Sequence, residues 1–108
     1  MKHGIRETVE VQHSTLSTST AQADEALRRV AAQQIGPRRP GIIYRNVDGL
    51  FLVVDVFTEP DKARRLLNRR SAQFAVVVIN LIDDRMHILG SVWTSSDHVV
   101  HAPQAVSV

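Results

Sequence analysis

Apolar and polar residues change their spacing several times along this chain, and each change marks an element. Ile5, Val9 and Val11 alternate with polar residues across Ile5–His13, which predicts a half-buried strand. His13 to Thr20 is rich in Ser and Thr, shows no period and reads as a loop. From about Thr20 to Ile35 the spacing turns helical, with Ala23, Leu27, Val30, Ala31 and Gln34 on one face. Asp24–Arg28 and Glu25–Arg29 are acid-first pairs on the opposite face. Gly36-Pro37 ends this helix, because glycine suits a left-handed cap and proline cannot continue the helix.

Ile42 to Val47 predicts a short strand, Asp48-Gly49 a hairpin turn, and Leu50 to Phe57 a second, wholly apolar strand up to Asp55. Thr58 then opens a helix, its hydroxyl placed to accept from the Asp61 N–H, with Pro60 and Asp61 in the first turn. Ala63, Leu66 and Leu67 mark the apolar side of that helix, and Lys62, Arg65 and Arg69 another side. Ser71 to Ile82 reads as a long strand apolar on both faces, Asp83-Asp84-Arg85 as a tight turn, and Met86 to Thr94 as the last strand. Residues 95–108, like residues 1–4, are expected to be irregular.

The expected order is therefore β-α-β-β-α-β-β in one α+β domain spanning residues 1–108. This is a ferredoxin-like sandwich with an antiparallel sheet and both helices on one face. Two helices cover one face only, yet Leu50–Phe57 and Phe74–Ile82 are apolar on both. A monomer would leave several hundred Å² of apolar surface in water, so the second face is expected to pair with a second copy or enclose an apolar ligand. Phe51, Val53, Val76 and Val78, or the alternate register, would centre that contact.

Composition narrows the chemistry more than it identifies it. With no cysteine among 108 residues, a disulfide framework, a thiolate nucleophile and a sulfur-based zinc site are excluded. Met1 to Gln12 lacks an apolar segment and Phe74–Ile79 is too short to cross a bilayer, so a cytoplasmic protein without a signal peptide is expected. Lys2 and Lys62 are the only lysines among thirteen basic residues, and the sequence pI is near 9.7 although the net charge is only +2. Arginine forks suit phosphate and carboxylate, which brings an anionic partner into consideration.

The stretch from Pro40 to Leu67 carries Pro40-Gly41, a strand, the Asp48-Gly49 turn, a strand ending in Asp55-Val56-Phe57, and a helix opening with Glu59 to Asp61. It resembles the small dimeric α+β barrels of the antibiotic-biosynthesis monooxygenase type, with Phe57 where that family usually has Trp. The resemblance implies a homodimer with facing sheets and a cavity between sheet and helices in each protomer. It also brings a cofactor-independent oxygenase or isomerase-like activity into view.

Asp55 is the candidate acid or base, because a carboxylate among Phe51, Val53 and Phe57 would have a raised pKa. The alternative is an ion pair with Arg45 or an edge position facing water. His87 and Trp93 share a face of the last strand, where the imidazole could exchange protons with a bound ligand and the indole could stack on it. Asn80 interrupts an apolar strand and must find partners if buried, and Tyr44 and Phe57 complete the expected ligand-binding set. His98 and His101 supply two ligands at most, so no metal is expected, and no motif implies a cofactor. The alternative function is a non-enzymatic basic module that holds nucleic acid or a protein partner through Arg38, Arg39, Lys62, Arg65 and Arg69.

Overall fold

No glycine or proline interrupts residues 5–35, and Ile5, Val9, Leu16, Ala23 and Val30 recur at intervals of four and seven. That is a helical period, and it prevails over the short alternation at Val9 and Val11. In the computed structural model, which describes residues 4–104 and side chains from residue 20 onward, helix α1 spans Gly4–Ile35. The strand expected over Ile5–His13 and the loop over His13–Thr20 are both helix. The residues up to Val30 group into one unit and those from Ala31 into another. In the first unit every described side chain is exposed, Leu27 and Val30 among them.

The second unit begins with the last turn of α1. Gly36 adopts φ 65° and donates its N–H to Ala32 O at 3.1 Å, closing the helix as expected from Gly36-Pro37. Strands β1 (Ile43–Asn46) and β2 (Gly49–Phe57) follow as a hairpin. Its register pairs Asn46 with Gly49, so Val47 and Asp48 form the tip and the turn sits one residue earlier than Asp48-Gly49 predicts. The Asn46 side chain fixes that turn by accepting from the Asp48 N–H at 2.8 Å. Gly49 is needed for closeness, since a Cβ there would lie 2.5 Å from Asn80 Nδ2.

Helix α2 (Pro60–Leu67) is capped by Glu59 with no side-chain hydrogen bond, so the Thr58 cap does not form. Strands β3 (Ala75–Asn80) and β4 (Arg85–Leu89) are shorter than the apolar runs that announce them. Leu81 and Ile82 fall in the connecting turn because Asn80 Oδ1 captures the Ile82 N–H at 3.0 Å and Asp84 takes φ 62°. The segment expected to be irregular contains strand β5 (His98–His101), paired with β1 through Tyr44↔Val99 and Arg45↔His98. Val99-Val100 gave the only local hint of it.

The result is an α+β unit with one five-stranded sheet, antiparallel throughout, in the order β4-β3-β2-β1-β5. The element order of the chain is thus α-β-β-α-β-β-β rather than β-α-β-β-α-β-β. Ala31 and Ile35 pack on Ile42, Tyr44, Phe51, Val53, Phe74, Val76 and Val78, the main core. Ala63 of α2 packs instead with Ala72, Ala75, Phe57 and Leu67. Ala75 pairs with Phe57 one step along from the Val76–Val56 pair, which places this second cluster on the other side of the pleat. Within this unit the last turn of α1 and helix α2 therefore lie on opposite faces of the sheet. The α2 side remains mostly open, with Val54 41%, Ile88 38% and Met86 62% exposed.

Candidate functional site

Arg38 organises the face that carries the last turn of α1. It follows the Gly36-Pro37 stop, so its side chain turns back onto the helix's free carbonyls. Nε donates to Ile35 O at 2.8 Å, and one terminal nitrogen donates to Gln34 O at 2.9 Å and to Ser91 O at 2.7 Å. The guanidinium carbon lies 5.8 to 5.9 Å from the ring centres of Tyr44, Phe74 and Trp93. Only 4% exposed, Arg38 pairs with no carboxylate among the described residues. Carbonyls at a helix C-terminus and aromatic faces offset its charge instead.

Beside Arg38 a half-open cavity of about 350 Å³ reaches over the sheet. Tyr44 from β1, Phe51 from β2 and Leu89 from β4 supply its apolar lining, and Tyr44 and Phe51 pack with ring centres 5.3 Å apart. Asn46, Asn80, His87 and Asp97 supply polar groups, with Asp48, Asp83 and Ser91 completing the wall. His87 faces this side because it pairs with Val78, which is fully buried in the main core.

Hydrogen bonds within the chain fix Asn46 and Asp97 on one side of this cavity. Asp97 accepts from Asn46 Nδ2 at 2.8 Å, from the Thr94 N–H at 2.8 Å and from the Thr94 hydroxyl at 3.3 Å. Partial burial works against its charge, but these bonds and the nearby Arg38 cation prevail and hold its carboxyl below the usual range. Burial pushes the Tyr44 hydroxyl up, against the opposing effect of Arg38. Among the described residues no buried side-chain polar atom lacks a partner.

Of the residues named from sequence, Tyr44 and Asn80 from the ligand-binding set and His87 from the catalytic pair line this one cavity. Trp93 stands behind them, edge-on to Tyr44 at 5.2 Å and packed against Gly36, where a Cβ would come within 2.6 Å of the indole. Phe57 belongs to the α2 cluster, with Lys62 Nζ 4.5 Å from its ring centre. Asp55 lies apart from the cavity, exposed at a bulge opposite Val77, where its carboxylate accepts from the Val56 N–H at 2.9 Å. Neither a buried position nor an Arg45 partner is found for it.

The basic set separates as well. Arg38 is buried, Arg39 is exposed in its loop, and only Arg65 and Arg69 meet, in a depression shared with Arg64, Asn68 and Arg70. His98 and His101 sit exposed on β5. Sequence reading missed Asn46, Asp48, Asp83, Ser91 and Asp97 in the cavity. The one usable signal was Asp97, three residues after Thr94, a spacing that closes a local turn.

The fold and cavity define a small α+β domain with a partly polar pocket. Comparison with protein-family models, curated proteins and solved structures finds no match for this chain.

Proposed function

We propose that this chain is a small-molecule-binding domain that holds its ligand on the α1 face of the sheet and pairs with a second copy through the other face. The observation that carries the reading is the convergence of Asn46, Asn80, His87 and Asp97 on a cavity floored by Tyr44 and Phe51. An apolar lining with a few oriented polar groups is the usual make-up of a ligand site. Three carboxylates on its wall, Asp48, Asp83 and Asp97, favour a flat, partly apolar molecule bearing hydrogen-bond donors over a purely apolar one.

An oxygenase or isomerase built on Asp55 and His87 together finds less support, because Asp55 stands outside the cavity. Any proton transfer in the pocket would fall to His87, with Tyr44 on the opposite wall, three strands away. The resemblance of residues 40–67 to the dimeric barrels agrees with pairing through a sheet face.

Ligand-observed NMR against small aromatic amines and phenols tests the binding reading. Binders should compete for one site, and His87→Trp, which fills the cavity from a half-buried position, should abolish their signal while the fold persists. Binders that ignore His87→Trp, or a screen with none, would remove the cavity reading.

A further inference from the structure

We propose that the arginine-lined depression at the end of α2 is a binding site for the phosphate backbone of single-stranded nucleic acid. The local sequence builds it in three steps. Arg64 and Arg65 fall in the last turn of α2, where cations complement the helix dipole. Asn68 then takes the left-handed conformation, φ 53° and ψ 49°, and Arg69 donates its N–H to Arg64 O at 3.1 Å. That closure folds the chain back and sets Arg69 and Arg70 beside Arg64 and Arg65, around an open concavity of about 580 Å³.

Helix-dipole complementarity accounts for the first two arginines and not for Arg69 and Arg70, which lie beyond the helix. Only Asp61, 90% exposed and 3.7 Å from Arg64, offers a counter-charge among the described residues. Arg64 is further steadied by Ala72 O at 3.3 Å, which fixes one fork of the set. Four arginines line one hollow, and guanidinium forks match phosphate oxygens. The hollow is lined by arginine and asparagine with no apolar residue among them, and its open concave form suits a chain of phosphates.

The test is fluorescence anisotropy with a labelled mixed-sequence DNA strand of about 20 nucleotides, titrated between about 50 and 200 mM salt. Contact with three or four phosphates predicts a slope of about −2 to −3 in log affinity against log salt. The double variant R65E/R69E should weaken binding at least tenfold and flatten the slope, while R28E/R39E, matched in charge, should change it far less. Circular dichroism verifies the fold, and R69Q/R70Q serves if the reversed-charge variant does not fold. Equal losses in both double variants, no loss in either, or full competition by inorganic phosphate at matched ionic strength would overturn the proposal. So would binding to phosphatidylserine vesicles without binding to the strand.

Discussion

Arg38 ties the end of α1 to the segment after β4, and its sequence context only half discloses this. Read with Arg39 it is a basic loop residue, and composition favours a solvated surface. Its place just after Gly36-Pro37 is the readable clue, because an arginine there can reach carbonyls that the helix leaves free. Arg38→Met should strip partners from Gln34, Ile35 and Ser91 and cost about 3 kcal/mol or more in denaturant unfolding, with Arg38→Lys intermediate because it lacks the fork. Asp97 predicts a pH effect. Its folded carboxyl titrates below the usual range, so its contribution to stability is present above about pH 4 and disappears as pH falls through the lower folded value. Asp97→Asn should lower stability at neutral pH and flatten the acid limb of a stability–pH curve. A variant with the wild-type acid limb would show that the Asn46–Asp97–Thr94 cluster contributes little to the folded state. Asp55 is the converse case: an acid within an apolar run suggests burial, but a bulge turns it to water, and bulges leave no mark in hydrophobic pattern.

At the scale of elements, what could be read depended on how local the determinant was. The β1–β2 hairpin, α2 and the β3–β4 hairpin follow from turn residues and apolar runs within a few positions of each other. Helix α1 was half legible, because the Ser/Thr-rich stretch lowers helix propensity without containing a true breaker. Strand β5 was not legible, since it depends on a partner, β1, more than fifty residues earlier, and on Asp97 bonding to Asn46 across that distance. Gly36 and Asn68 end the two helices in the same left-handed conformation under different constraints. At Gly36 a side chain would meet both the positive φ and the Trp93 ring. Gly36→Ala should therefore destabilise by about 2 kcal/mol or more and shift the emission of Trp93, the single tryptophan. Asn68 is exposed, so Asn68→Gly should be nearly neutral and Asn68→Ala should cost about 1 kcal/mol. Thermal unfolding of the three variants separates the two situations.

For the molecule as a whole, the apolar character of β2 and β3 on both faces was plain in the sequence, while the assignment of faces was not. Ile43, Leu52, Ile79 and Met86 pair in one row across β1, β2, β3 and β4, and the row lies opposite the core residues Val53 and Val78. Within the α+β unit, α2 covers this side only at the Phe57 and Ala75 end. The alternate register named from sequence is thus the open one. Four strands about 4.8 Å apart and five residues about 3.3 Å each give a flat surface of roughly 19 by 17 Å. Counted on both copies, such a face falls short of the roughly 1,000 Å² that a stable specific dimer clears, which makes the pairing weak. We therefore expect pairing that depends on concentration, seen in sedimentation velocity as a shift from dimer to monomer on dilution. Neighbouring residues of β3 give the decisive contrast. Val78 is fully buried and Ile79 is not, so Val78→Asp should unfold the domain through an unpaired buried charge. Ile79→Asp should leave the circular dichroism spectrum intact and yield monomer at every concentration. Should Ile79→Asp sediment as the wild type does, the open face is not where copies meet.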